Sequence, residues 1–203
     1  MSTRRGNSVV LRLILSVLAS AWIVPGYSAD LPESGAVLLV ARPELQDPIY
    51  SETILIAWPI EQGRHLGFIL NKPTTVSLKE AFPDHAPSQA VGAPVYLGGP
   101  TDVGTMFALV EAHDSPGPGS MQLSPDLFLV VAADTVDHVI EFEAEHARFF
   151  AGAVVWQAGE LDEELKRGAW YVLDAEPKLV LSQKTDRMWQ QMMHRVELRE
   201  HGI

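Results

Sequence analysis

The feature that most constrains the fold is a series of short apolar runs, each of strand length and each ended by proline, glycine or asparagine. Residues 36–41 form one run, residues 53–58 a second that Pro59 ends, and residues 66–70 a third that ends at Asn71. Short apolar runs between turn signals indicate buried strands. Most of these runs follow one another through turns, which favours antiparallel pairing. The chain is therefore predicted to be α+β with a mainly antiparallel sheet.

The rest of the chain repeats this pattern with a few helices between the strands. The predicted strands are 95–97, 106–111, 127–132, 153–156, 170–173 and 179–181, and the predicted helices are 77–82, 135–148, 160–167 and one that begins at 185 or 186. Trp189 lies on the apolar face of the last helix, which we expect to belong to the core. No linker interrupts residues 29–203, so they are predicted to form a single domain.

The first 28 residues have the pattern of an export signal. Arg4 and Arg5 precede an uncharged, mostly apolar stretch at 13–24, which is shorter than the roughly 20 residues that span a bilayer. Small residues then favour cleavage after Ser28, with Ala29 as the second choice. We expect a periplasmic or secreted protein with no stable membrane insertion after cleavage. An uncleaved anchor or a wrongly assigned start codon is the alternative, and both Sec and twin-arginine export stay open.

Charge and cysteine content narrow the function classes. The formal net charge is −11, and the loss of residues 1–28, which hold three arginines and no acidic residue, would make it −14. A duplex nucleic-acid partner normally requires a basic patch, and no basic run in this chain is longer than two residues, as at Arg4-Arg5. We therefore expect no nucleic-acid partner. The chain has no cysteine, which excludes disulfides and thiolate metal sites.

Two turns that follow strands are the best candidates for a ligand site. Asn71, Lys72 and Pro73 follow one strand, and Gly98, Gly99, Pro100 and Thr101 follow another. Glycines permit close backbone approach, and an asparagine amide offers both a donor and an acceptor. These seven residues are predicted to line a ligand-binding groove. The alternative is a pair of tight turns that only close the sheet.

Other polar clusters have simpler explanations. His138, Glu141 and Glu145 share one face of the predicted 135–148 helix, which is typical of a solvated face more often than of a metal site. The acidic residues at 160–164 suit a helix N-terminus. No GxSxG, GxGxxG or Walker A motif occurs. We therefore assign no metal and no cofactor, and leave the catalytic residues unknown.

Four stretches, in order, resemble the YqgE/AlgH family. They are the stretch from Asp47-Pro48-Ile49-Tyr50 to Trp58-Pro59, the stretch Leu66-Gly67-Phe68-Ile69-Leu70-Asn71-Lys72-Pro73, the stretch Pro94-Val95-Tyr96-Leu97-Gly98-Gly99-Pro100, and the stretch from Trp156 through Leu165 to Trp170. The likeness covers residues 34–195. It implies an α+β fold with a bent sheet folded into a pseudo-barrel and helices outside. It carries over no catalytic residue, because the family has none established.

The chain also departs from the family pattern. Val110 follows Leu109 where members often have histidine, residues 152–156 replace a GYAGW stretch, and most members lack an export signal. The most favoured function is an exported, non-catalytic binding or regulatory module with an unknown protein, peptide or small-molecule partner. A hydrolase of unrecognised type that uses the groove near Asn71 and Gly99 is the alternative. Transcriptional regulation, once proposed for the family, is the second alternative.

Overall fold

The fold is a curled half-barrel sheet with helices packed on it, seen in a computed structural model that describes residues 35–200 and 202. The predicted signal peptide lies outside the described residues. The described strands are β1 (Val37–Ala41), β2 (Ile54–Pro59), β3 (His65–Ile69), β4 (Pro73–Ser77), β5 (Pro94–Leu97), β6 (Thr101–Glu111), β7 (Ser120–Ser124), β8 (Leu127–Val130), β9 (Ala147–Trp156) and β10 (Trp170–Asp174). The described α-helices are α1 (Leu78–Ala81), α2 (Ala133–Phe142), α3 (Glu160–Lys166), α4 (Pro177–Val180) and α5 (Met188–Glu200). Within this part of the chain, no helix is long and apolar enough to cross a bilayer.

The strands form one sheet in the order β10-β1-β2-β3-β9-β6-β8-β7. Every pair along this path is antiparallel, and β4 joins through an antiparallel pairing with β5. The pairing of β5 with β9 is parallel. The predicted α+β class with a mainly antiparallel, bent sheet and flanking helices is therefore confirmed.

Strand β9 has two different neighbours on one edge. Its first half pairs with β5, from Val95 opposite Phe149 to Leu97 opposite Ala151, and its second half pairs with β3. Gly152 lies between the two halves with a φ of 72°. On the other edge, the pairing with β6 shifts register at the same place. The sheet therefore bends and changes partner around Gly152, as bulges in curved sheets do.

Strands β1 and β2 are buried on both faces, which explains their continuous apolar runs. On one face Leu38 and Ile56 pack in a cluster that includes Met188 and Met192 of α5. On the other face a second cluster includes Leu161 of α3. The C-terminal helix therefore contributes to the core, as expected. Its buried residues are Met188, Met192 and Val196, whereas Trp189 is only half-buried.

The largest difference from the sequence-based prediction concerns residues 143–152. A helix was predicted over 135–148, but α2 ends at Phe142, and Arg148 lies within β9. Glu143 has φ −129° and ψ 14°, which ends the helix. The apolar spacing in the first half of the segment is helical, whereas the second half pairs with β5 and β6. Long-range strand pairing overrides the local pattern here.

Smaller differences have similar causes. In place of the predicted strand at 179–181, residues 179 and 180 belong to α4 and Leu181 caps its end; Pro177 occupies the first turn of α4, a position that favours helix starts. Strands β4 and β7 are not predicted because most of their residues are polar and, apart from Leu123, at least partly exposed. The predicted Ser77 cap of α1 is confirmed: its Oγ accepts from the Glu80 amide at 3.3 Å, and Glu80 accepts from the Ser77 amide at 2.8 Å.

Candidate functional site

The structure brings the two predicted turns side by side. The Leu97 amide donates to the Lys72 carbonyl at 2.9 Å, and the Ile69 amide donates to the Gly98 carbonyl at 2.8 Å. Pro73 at the start of β4 lies opposite Tyr96 in β5. Pro100 and Thr101 are exposed, and Thr101 begins β6 opposite Ala153. The seven residues therefore form one neighbourhood, and their contact with a ligand stays a prediction.

Gly98 and Gly99 are buried against the backbone of β9. A Cβ atom at Gly98 would lie 2.1 Å from the Gly152 carbonyl oxygen, and one at Gly99 would lie 2.3 Å from the Ala153 carbonyl group. The Gly98 amide donates to the Ala151 carbonyl at 2.9 Å. Both glycines therefore allow two backbone segments to touch, which is a sufficient reason for their type.

Asn71 and Lys72 fasten the loop between β1 and β2. Asn71 Oδ1 accepts from the Ile54 amide at 2.9 Å, and its Nδ2 donates to the Glu52 carbonyl at 2.8 Å. Lys72 Nζ donates to the Ile49 carbonyl. Glu52 has a φ of 54°, a left-handed conformation that costs free energy in a non-glycine residue. The turn after β3 thus helps to hold the β1–β2 loop in a defined and partly strained shape.

That loop borders a surface cavity of about 470 Å³, here named the β1–β2 cavity. The residues that line it and matter for its chemistry are Arg42, Leu45, Asp47, Glu52 and Trp189. The first four belong to the loop, and Trp189 belongs to α5. Sequence analysis missed Arg42 and did not connect Trp189 with this loop. The one available signal was the Asp47-Pro48 turn, which lies within a family-like stretch.

Several contacts hold the walls of the β1–β2 cavity. Asp47 Oδ1 accepts from the Ile49 amide at 2.7 Å and from the Tyr50 amide at 3.0 Å. The Trp189 indole Nε1 donates to the Ala41 carbonyl at 2.8 Å. Each contact fixes a side chain of the wall to a backbone group, so the cavity is shaped before any ligand arrives.

Among the described residues, the charged side chains that line the β1–β2 cavity form no ion pair. The Arg42 guanidinium carbon lies 4.1 Å from the centre of the Tyr171 ring, and its Nε is buried without a hydrogen-bond partner. Burial raises the pKa of Tyr171, while Arg42 acts to lower it. Among residues 35–200, the ion pairs within 4.0 Å do not include Arg42, Asp47 or Glu52. The cavity therefore presents both signs of charge to solvent.

A second arginine is buried inside the half-barrel. Arg148 is 1% exposed, its Nη1 donates to the Val180 carbonyl at 2.7 Å, and its Nη2 donates to the Leu70 carbonyl. The guanidinium carbon lies 3.9 Å from the centre of the Tyr96 ring. Burial lowers the pKa of Arg148 to about 10, although Tyr96 favours the charged form. Arg148 thus connects the residue before Asn71 with the end of α4.

The other polar clusters have structural roles. Glu164 Oε2 accepts from the indole nitrogens of Trp156 at 3.1 Å and Trp170 at 2.7 Å. His138 lies in α2 with Glu141, whereas Glu145 lies beyond the end of that helix. Among the described residues, no group of three or more histidine, aspartate or glutamate side chains is placed to hold a metal ion. In α3, Glu164 therefore anchors two tryptophans.

Sequence comparison finds relatives along most of the chain. Residues 38–200 match the AlgH-like (DUF179) family. The UPF0301 protein CT0663 of Chlorobaculum tepidum is 32% identical over 155 residues, which are 75% of this chain and 81% of that protein. The UPF0301 protein SCO2948 of Streptomyces coelicolor is 28% identical over 165 residues, covering 78% of this chain and 84% of that protein.

Structure comparison supports the same fold. The solution structure of the AlgH protein from Pseudomonas aeruginosa has a TM-score of 0.67 and 23% identity, and the match covers 82% of this chain and 91% of that one. The crystal structure of protein DIP2367 from Corynebacterium diphtheriae has a TM-score of 0.66 and 21% identity, with coverage of 82% and 88%. The family match, the relatives and the half-barrel sheet agree, and the chain belongs to the AlgH-like family.

Proposed function

We propose that the protein is a binding module that holds a short peptide or a small ligand in the β1–β2 cavity. The observation that carries this proposal is a shaped cavity of about 470 Å³ in which Arg42, which forms no ion pair with the described residues, lies beside a half-buried aromatic wall, Trp189. Small-ligand sites are typically concave, partly apolar, and supplied with a few fixed polar groups. The β1–β2 cavity has each of these properties.

Two of the seven residues predicted from the sequence, Asn71 and Lys72, hold the loop that borders this cavity. Asn71 uses both polar atoms of its side chain on the β1–β2 loop, and Lys72 binds the carbonyl of Ile49 in the same loop. Gly98 and Gly99 hold β3 and β9 together behind that turn. We therefore propose that Asn71 and Lys72 act on a ligand indirectly, by keeping the loop in its binding shape.

Backbone amide NMR spectra can test the proposed function. A pool of short peptides and small metabolites should shift the Trp189 indole N–H signal and the amide signals of residues 42–53. Arg42→Met and Trp189→Ala should each weaken binding about tenfold, which corresponds to about 1.4 kcal/mol. Arg167→Met removes an exposed arginine of α3's C-terminal end and should leave binding unchanged.

The same spectra can also contradict the proposed function. Ligands whose shifts map away from the loop, or whose affinity is unchanged in Trp189→Ala, would show that the β1–β2 cavity is not the binding site. Asn71→Ala adds a check on the supporting role. It should weaken binding and broaden the loop signals together, because the loop loses two hydrogen bonds.

We further propose that the module acts outside the cytoplasm. The basic residues Arg4 and Arg5, the apolar stretch 13–24 and the small residues before Ala29 support this location. Mass spectrometry of the protein from its native cells should find an N-terminus at Ala29 or Asp30. Intact Met1 on most copies would contradict the proposal.

A further inference from the structure

We infer that the β1–β2 cavity takes a zwitterionic ligand, one that carries both a carboxylate and an ammonium group beside an apolar side chain. Free apolar amino acids and short peptides have this chemistry. The inference rests on the proposed function, and it narrows the ligand class from the charges and walls of the same cavity.

Arg42 is placed to receive the carboxylate. Its backbone amide donates to the Ala169 carbonyl at 2.9 Å, and its guanidinium carbon lies over the Tyr171 ring, 4.1 Å from the ring centre. A guanidinium fork held in this way binds a carboxylate through two parallel hydrogen bonds. Among the described residues no carboxylate lies within 4.0 Å of Arg42, so its charge is available to a ligand.

Two acidic residues of the same cavity suit the ammonium group. Asp47 is fixed by the two amide hydrogen bonds that its Oδ1 accepts. Glu52 is fixed through its backbone, because Asn71 holds its carbonyl while φ stays at 54°. In the described part of the chain, neither carboxylate forms an ion pair.

The mixed charge also disfavours simpler ligands. A plain anion that approaches Arg42 meets the negative fields of Asp47 and Glu52, and a plain cation meets the positive field of Arg42. A ligand that carries both charges can gain from Arg42 and from the carboxylates that line the same cavity. This arrangement of attraction and repulsion gives specificity for a zwitterion.

The remaining walls are partly apolar, with the polar side chains of Gln46 and Ser51 among them. Leu45 and the ring of Trp189 line the cavity, and the indole nitrogen of Trp189 is turned to the Ala41 carbonyl. With its one donor occupied, the indole offers a ligand its apolar surface. The cavity volume of about 470 Å³ leaves room for a side chain beside the two charged groups.

Calorimetry with four related probes tests the inference on protein purified from cells that express the full-length chain. L-leucine and the dipeptide L-alanyl-L-leucine carry both charges. N-acetyl-L-leucine lacks the ammonium group, and L-leucinamide lacks the carboxylate. At about 0.15 M salt we expect at least one zwitterion to bind, and each singly charged probe to bind at least about tenfold more weakly. The comparison of leucine with the dipeptide separates a free amino acid from a peptide.

Variants assign each charge to its partner. The unchanged protein should bind L-leucinamide more weakly than L-leucine, because leucinamide lacks the carboxylate. In Arg42→Met this difference in affinity should disappear. N-acetyl-L-leucine lacks the ammonium group and should bind more weakly than L-leucine. In Glu52→Gln this difference in affinity should be smaller than in the unchanged protein. Arg167→Met is the matched control for Arg42→Met and should keep the original ranking of the four probes.

Two results would overturn the inference while the proposed function stands. One is equal binding of a singly charged probe and a zwitterion at the β1–β2 cavity. The other is no binding of either zwitterion up to about 10 mM while other ligands shift the Trp189 indole signal. If no ligand shifts that signal, the proposed function fails as well.

Discussion

The substitution Gly98→Ala tests whether the Gly98-Gly99 turn closes the sheet by direct backbone contact. The added Cβ would lie 2.1 Å from the Gly152 carbonyl oxygen and 2.9 Å from a ring carbon of Phe68. Because protein interiors are close-packed, the turn or β9 must move by about 1 Å to relieve this contact. That movement strains the two backbone hydrogen bonds of Gly98, to Ala151 and from Ile69.

The expected cost follows from these contacts. Overpacking a core costs about 1–3 kcal/mol, and two strained hydrogen bonds add about 1 kcal/mol each. We therefore expect Gly98→Ala to lower the free energy of unfolding by about 3–5 kcal/mol, a large share of the roughly 5–15 kcal/mol of an average domain. The thermal midpoint should fall by about 10 °C.

Thermal and urea unfolding, followed by circular dichroism, measure this change. Gly104→Ala is the matched control, because a Cβ there meets no atom within 4 Å. It should be neutral or stabilise by up to about 1 kcal/mol through the unfolded chain. If Gly98→Ala stays within about 1 kcal/mol of the unchanged protein, the turn yields easily, and the close-contact explanation for Gly98 is wrong.

Three further predictions concern the helix, the pH dependence and nucleic acid. Trp189→Ala should lower the free energy of unfolding by about 2 kcal/mol in thermal unfolding, which is less than for a fully buried tryptophan, because Trp189 is half-buried and its indole donates a hydrogen bond to the Ala41 carbonyl. The substitution Gln190→Ala changes an exposed side chain of the same helix and should have no measurable effect. Burial lowers the pKa of His65 from 6.5, although the negative charge of Asp162 acts to raise it, so the unfolded chain binds a proton at His65 more readily than the folded protein. The free energy of unfolding should therefore fall as the pH drops below about 6.5, and His65→Gln should reduce this dependence of stability on pH. With a net charge of −11, the protein should not bind duplex DNA at physiological salt, and sub-micromolar binding with a steep salt dependence would contradict this.

Much of the fold follows from local pattern. The apolar runs of β1, β2 and β3, the Ser77 cap of α1 and the acidic first turn of α3 are each visible in a few neighbouring residues. Local patterns fail where a residue serves a distant partner. Arg148 has the polarity of a helix surface, yet its guanidinium binds carbonyls 78 and 32 residues away.

In the candidate site, too, some features could be predicted from local sequence and others depend on distant contacts. Sequence pattern located the turn at Asn71 and Lys72 because a turn residue after a buried strand is a local signal. It could not connect that turn with the Glu52 and Ile49 carbonyls, or place Trp189 against Ala41, 148 residues earlier in the chain. The β1–β2 cavity exists only once these segments meet.

The class of fold, the turns between strands and the acidity that argues against a nucleic-acid partner can all be inferred from the amino-acid sequence. The strand at residues 147–152, the burial of Arg148 and the cavity that Arg42 and Trp189 border become visible only in the folded chain. This difference arises from the range of the interactions. Periodicity, capping and turn chemistry act over a few residues, whereas strand partners and cavity walls depend on contacts between segments that are far apart in the chain.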